Sequence, residues 1–249
     1  MAAADSEFAQ LFVVAQSDPR VVGLVLGGSR GKDPSYVTER SDYDVYVILN
    51  DASALDEYAE RFPTNHGDPV EAFFVTLDSF RKHALPASGS EWNAYTFAHV
   101  APLIDKLDGE ISRLMEEKSV RDPASAGEPL DGYINQYYRA AKNQRDGLTH
   151  EAHFDAAESV SWFLDFLFAA CGRVRPFNKW LRWELANHPL PDPWSAGETV
   201  RRLEAILSSG NLAEQQSLFR DVDSFARELG FGDVVDSWEP DVAWLRGRA

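Results

Sequence analysis

The stretch Gly23-Leu24-Val25-Leu26-Gly27-Gly28-Ser29-Arg30-Gly31, followed by Ser41-Asp42-Tyr43-Asp44-Val45-Tyr46-Val47-Ile48, constrains this chain more than any other. Val21 to Leu26 is apolar, β-branched and too short for a helix, which predicts a buried strand. A glycine-serine turn and a polar excursion containing Pro34 follow, and then a second strand-like run, Tyr43 to Leu49, whose Asp44 lies two residues beyond Asp42. Alternate residues of a strand share a face, so Asp42 and Asp44 are expected to point the same way, about 6.5–7 Å apart at ~3.3 Å per residue. Two carboxylates beside Val45, Val47 and Ile48 would be costly unless paired, and a divalent cation removes that cost. Oxygen ligands together with retained waters and substrate phosphates are what Mg2+ prefers.

Gly27-Gly28-Ser29 sits where the first strand turns. It lacks the side chains that would hold a phosphate chain away from backbone N–H groups, and Ser29 adds a hydroxyl. A helix beginning near Arg30 would bring partial positive charge to the same place.

Along the rest of the chain, Phe8, Leu11, Phe12 and Ala15 recur at helical spacing over Asp5 to Gln16. Helices are also expected over Ala54 to Arg61, Leu77 to Ala84 and Gly109 to Lys118. Val70 to Val75 reads as a third strand after the turn residues Asn65 to Pro69, and residues 98–104 as a weaker fourth around Val100 and Ile104. Strands interleaved with helices predict an α/β or α+β unit over residues 1–121. The segment Asp122 to Pro129, rich in Pro, Gly and small residues, reads as a linker. Beyond it strand signals vanish. Tyr133 to Arg145, Phe154 to Ala170, Asn178 to Ala186, Thr199 to Leu207 and Leu212 to Leu229 carry apolar residues at three- and four-residue spacing, which predicts an all-helical domain over 130–249.

Gly28-Ser29, twelve residues, then Asp42-Tyr43-Asp44 between apolar strands resembles the signature of the DNA polymerase β-like nucleotidyltransferase superfamily. The order of the two domains looks like its small-molecule branch, the two-domain aminoglycoside nucleotidyltransferases. That resemblance implies the α+β form with a mixed sheet for the first unit, and a Mg2+-dependent transfer of a nucleoside monophosphate, AMP from ATP, to a hydroxyl of a small molecule bound between the domains. It gives Asp42 and Asp44 the metal, and Gly28, Ser29 and Arg30 the triphosphate. The family also uses a third carboxylate from a neighbouring strand as ligand or base. Glu71, opening the third strand, is preferred for it over Asp105, which closes the fourth. Arg175-Pro176-Phe177-Asn178-Lys179-Trp180-Leu181 resembles a segment in which a lysine reaches the nucleotide phosphates, so Lys179 is a candidate phosphate ligand, ahead of Arg139 and Lys142. Two other readings stay open: an antitoxin-like protein adenylyltransferase, and a nucleotide-binding module without turnover.

A net charge of -16 disfavours nucleic acid as a partner and suits a cationic acceptor or a metal-bridged anion. Cys171 is the single cysteine, which excludes an internal disulfide and reads as a packed core thiol. The first residues lack a leader pattern and no run approaches 18 apolar residues, so a cytoplasmic protein away from membranes is expected. The spacing of Arg145 and His150 matches the arginine-histidine pair of a class of helical toxin-module RNases and is read as coincidence. His150 and His153 lack the fuller zinc-protease pattern.

Overall fold

The computed structural model describes residues 2–247. It divides into two compact units, residues 1–120 and 121–249.

The first unit is a mixed four-stranded sheet with helices. Its elements run α1 (Ala2–Ser17), β1 (Val21–Leu26), α2 (Gly28–Lys32), β2 (Tyr43–Leu49), α3 (Ala54–Arg61), β3 (Val70–Thr76), α4 (Leu77–Lys82), β4 (Pro102–Asp105) and α5 (Glu110–Ser119). The strand order is β3-β2-β1-β4. β1 pairs antiparallel with both β2 and β4, whereas β2 and β3 run parallel because α3 lies in the crossover between them.

Period-two alternation sorts the sheet into two faces. Leu24, Leu26, Tyr43, Val45, Val47, Val70 and Ala72 pack with Leu11 and Ala15 of α1 and Tyr58 of α3 in one core. Gly23, Val25, Asp44, Tyr46, Ile48, Glu71 and Phe73 alternate with them on the opposite face. Both faces bury apolar side chains, and the second carries Asp44 and Glu71 beside the buried Val25, Tyr46 and Ile48.

The second unit is helical: α6 (Gly127–Arg145), α7 (Thr149–Ala170), α8 (Leu181–Asn187), α9 (Ala196–Ser209), α10 (Leu212–Glu228), α11 (Gly232–Asp236) and α12 (Asp241–Leu245). Tyr133, Tyr137, Phe163, Trp194 and Phe219 are buried at its centre. The Tyr137 hydroxyl donates to the Leu245 carbonyl at 2.6 Å, which fastens α12 to α6.

Three expectations are corrected. The supposed linker is structured: Pro123–Ala126 forms a 3-10 turn after Asp122, whose side chain accepts from Ala124 N, and Gly127 opens α6. The fourth strand is Pro102–Asp105 and excludes Val100, because Ala98 and His99 form a turn in which His99 has φ +60°. The helix expected over Asn178 to Ala186 is a 3-10 turn, Asn178–Trp180, followed by α8.

Asp18 fixes the entry to β1. Its carboxylate accepts from the Arg20 backbone N–H at 2.8 Å, from the Arg20 guanidinium, and from the Tyr58 hydroxyl at 3.0 Å. The Arg20 side chain, more than the backbone bond and Tyr58, holds that carboxyl well below its ordinary value of 3.8. A carboxyl with a depressed folded-state pKa stabilises the fold above its unfolded pKa, and the contribution is lost as pH falls toward the folded one. Asp18→Asn should cost about 1–3 kcal/mol in urea unfolding at pH 7. The difference from wild type should shrink steadily below pH 4.

Candidate active site

β1 delivers the Gly-Ser turn to the side of Asp44. The Gly27 N–H donates to the Asp44 carbonyl at 2.8 Å, continuing the β1–β2 ladder past the last strand residue. Gly28 then takes φ +58°, and a Cβ there would run into Asp44 Oδ2, so only glycine lets the turn close on this carboxylate. Gly31 plays a related part, since its Cβ would collide with the Leu26 carbonyl as α2 doubles back over the end of β1. The helix expected near Arg30 begins at Gly28 and is five residues long. Ser29 is buried within it, at 6% exposure.

Asp44 and Glu71 are brought side by side. They are register partners in the parallel β2–β3 pair, on strands ~4.8 Å apart. Glu71 Oε1 accepts from the Gly67 N–H and lies 3.3 Å from His66 Nδ1. Asp105 is elsewhere. It pairs with Gly23 on the far side of β1, and its carboxylate caps the start of α5 through Leu107 N, Ser112 N and Ser112 Oγ.

Asp42 is exposed and directly precedes β2, so only Asp44 of the pair is a strand residue. Asp42 lines a cavity of about 230 Å3 together with Arg30, Arg40, Gly67 and Asp68. Arg30 departs from its expected place beside Ser29. Its guanidinium lies 4.0 Å from the Tyr43 ring centre and donates to the Ser41 carbonyl and the Tyr43 hydroxyl, with Asp5 3.6 Å away. Tyr43 and Asp44 point to opposite faces, so Arg30 braces the polar excursion from the α1 side.

Beneath Asp44 lies a polar network that the sequence did not reveal. Asn93, in the 3-10 segment Glu91–Phe97, is buried at 6% exposure. Its Nδ2 donates to Tyr46 Oη at 2.6 Å and approaches His83 Nε2 at 2.9 Å, and its Oδ1 accepts from Thr96 Oγ1 at 2.6 Å. Burial raises the Tyr46 hydroxyl and Asp44 adds to the rise, against the bond from Asn93. Burial, and then Lys118, lowers His83. Lys32, closing α2, donates to the Tyr95 carbonyl at 3.1 Å and the Ala98 carbonyl at 2.5 Å, with the Tyr95 ring centre 3.8 Å away. Burial pulls its amine down to about 7, while these three partners are ones that favour an ammonium.

Among the described residues no three His, Cys, Asp or Glu side chains converge as a ready-made metal cage. Asp42, Asp44 and Glu71 offer oxygen donors only, at one end of the β2–β3 pair. That donor chemistry fits Mg2+, which is held by one or two carboxylates and completes its shell with waters and phosphates.

In the second unit Lys179 is exposed on its 3-10 turn, with Nζ 5.5 Å from the Trp180 ring centre. Arg139 pairs with Asp155 at 3.4 Å, and Lys142 is exposed. Arg145 is bound to Asp146 and lies against Trp244, while His153 Nε2 is 2.9 Å from the Leu207 carbonyl. His150, which both motifs share, is exposed. Burial pushes the Cys171 thiol up.

No protein-family model matches the chain, and no curated protein matches it in sequence. Among solved structures, it is similar to a nucleotidyltransferase-like protein from Exiguobacterium sibiricum. That protein is 11% identical, the match covers 94% of this chain and 90% of the other, and the TM-score is 0.41. No described helix is long and apolar enough to cross a membrane.

Gly28→Ala separates the close approach to Asp44 from the cost of positive φ alone. Gly147 has φ +81° with open space around it, so Gly147→Ala carries the conformational cost only, about 1 kcal/mol. Gly28→Ala should lose at least about twice that in urea unfolding, because Asp44 must also move.

Proposed function

We propose that this protein is a Mg2+-dependent nucleotidyltransferase that moves AMP from ATP to a hydroxyl of a small cationic acceptor of the aminoglycoside kind, releasing pyrophosphate. The observation that carries this reading is the Gly27–Ser29 turn folded directly against Asp44, with Glu71 in register beside it.

Each residue has a distinct task. The backbone of Gly28 and the hydroxyl of Ser29 bind the triphosphate oxygens, which approach closely because two glycines leave the turn bare. Mg2+, held by Asp42 and Asp44, would supply neutralisation of the triphosphate charge. Glu71 takes the proton from the acceptor hydroxyl. His66 and the Gly67 N–H both contact its Oε1, which favours Oε2 as the oxygen that takes it. The freed oxygen attacks the α-phosphorus, the bond to the β-phosphate bridging oxygen breaks, and pyrophosphate leaves with that electron pair.

The charge of -16, and the carboxylates Asp42, Asp44, Asp68 and Glu71 at one end of the sheet, favour an acceptor carrying ammonium groups. Glu71 is favoured over Asp105 as base because Asp105 is committed to the start of α5. A protein hydroxyl as acceptor, or binding without turnover, are the outcomes from which the following assay distinguishes this reading.

The protein is incubated with ATP, Mg2+ and a panel of aminoglycosides, following pyrophosphate and the mass of adenylylated product. Wild type should turn over at least one acceptor and stop when EDTA is added. Asp44→Asn should abolish turnover. Glu71→Gln should lower kcat by about 10²–10⁴-fold while the KM for ATP changes little, as expected for loss of a general base. Activity that survives Asp44→Asn contradicts the mechanism.

A further inference from the structure

The 3-10 segment Glu91–Phe97 and the Ala98 that follows it touch the chain at two separate points, the Gly-Ser turn at Gly27 and the end of α2 at Lys32. The methyl Cγ2 of Thr96 lies 3.0 Å from the position a Gly27 Cβ would take, so Thr96 fills the space that glycine leaves empty. Five residues further along, at the end of α2, Lys32 is tied to the carbonyls of Tyr95 and Ala98. The segment is itself anchored to β2 through Asn93 and the Tyr46 hydroxyl, and Tyr46 stands two residues from Asp44 on the same sheet face. The turn and the carboxylate it closes on are therefore gripped by one element.

We propose that Glu91–Phe97 is a clamp that fixes the Gly27–Ser29 turn against Asp44, with Thr96, Asn93 and Lys32 as positioning residues for the nucleotide. The clamp rests on the nucleotidyltransferase reading only for what the turn holds. Three glycine-permitted approaches leave the turn with little side-chain packing of its own, at Gly27, Gly28 and Gly31. Rigidity must then come from outside. Asn93 supplies it by bonding Tyr46, Thr96 and His83 at once, which fixes its own rotamer and that of Thr96. Thr96 has two functions in this arrangement: its hydroxyl holds it to Asn93, and its methyl bears on Gly27.

These functions can be separated. Thr96→Val keeps a methyl and removes the donor to Asn93, whereas Thr96→Ser keeps the donor. Lys32→Met releases the other end of α2 without touching Asn93, and so tests the clamp even if Thr96→Val folds poorly. The first readout is amide hydrogen exchange at Gly27 and Gly31, whose N–H groups are bonded to the Asp44 and Gly27 carbonyls. Exchange there should quicken about 10-fold or more in Thr96→Val and Lys32→Met, while Leu24 within β1 and the α1 amides keep wild-type protection. Thr96→Ser, which keeps the bond to Asn93 but loses the methyl on Gly27, should fall between wild type and Thr96→Val. The second readout is kinetic: a misplaced turn should raise the KM for ATP and lower kcat/KM for ATP by about 10–100-fold in Thr96→Val, with partial recovery in Thr96→Ser. A residue that only stabilises the fold would lower Tm without this selective change.

Wild-type exchange at Gly27 and Gly31 in both Thr96→Val and Lys32→Met overturns the clamp. Faster exchange with unchanged kinetics, in a wild type that turns over, overturns its link to the nucleotide. A wild type that releases no pyrophosphate with any acceptor removes the transferase reading, and the exchange measurement still decides whether the clamp exists.

Discussion

The hydrogen bond from the Gly27 N–H to the Asp44 carbonyl is the joint on which the first unit turns. It carries the β1–β2 ladder one residue beyond the strand, so the chain leaves the sheet at a fixed place beside a carboxylate. Gly28 can then take a left-handed conformation with Asp44 Oδ2 against it, and α2 folds back because Gly31 has no Cβ to meet the Leu26 carbonyl. A larger residue at any of these positions moves the turn away from Asp44. The parallel pairing of β2 and β3 does the rest by setting Glu71 next to Asp44, and that pairing follows from the crossover through α3.

The two sheet faces differ in what they carry: one is apolar throughout, and the other sets Asp44 and Glu71 among the buried Val25, Tyr46 and Ile48. Tyr43, Val45 and Val47 bury against α1 and α3, each worth roughly 1.5–3 kcal/mol when fully desolvated. A one-residue slip of β2 would exchange these for Asp44 and Tyr46, so the apolar face toward α1 and α3 fixes the side to which Asp44 points. Arg30 belongs to that apolar face, where it stacks on Tyr43. Its sequence position next to Ser29 did not determine its orientation, because a tight turn sends successive side chains in different directions.

Much of this was legible in the sequence for a definite reason. The strands around the motif alternate or run apolar, and Gly-Gly-Ser marks the turn between them, so β1, β2 and β3 follow from periodicity and turn chemistry, whereas the nearness of Glu71 was only what the family resemblance implied. The helices of the second unit were legible from three- and four-residue spacing, as in Tyr133, Tyr137 and Ala141. The bounds of β2, Tyr43 to Leu49, were legible as well, but Asp42 was given the alternation of a strand that it only precedes. The segment 91–97 escaped because a 3-10 run has neither helical nor strand period. Its decisive bonds are also long-range: Asn93 to Tyr46 spans 47 residues and Lys32 to Ala98 spans 66. The Pro- and Gly-bearing stretch at 122–129 misled in the opposite sense, since the same residues that loosen a linker also cap and open a helix, as Asp122 and Pro123 do before α6.

The central claim is that the Gly-Ser turn and Asp44 receive Mg2+-bound ATP. The most direct measurement is a titration of the 15N-labelled protein with ATP, with and without Mg2+, following the backbone amide resonances. The account predicts saturable shifts at Gly28, Ser29 and Asp44 that require Mg2+ and are lost in Asp44→Asn. Saturation at other residues, or no response at these three, would contradict it.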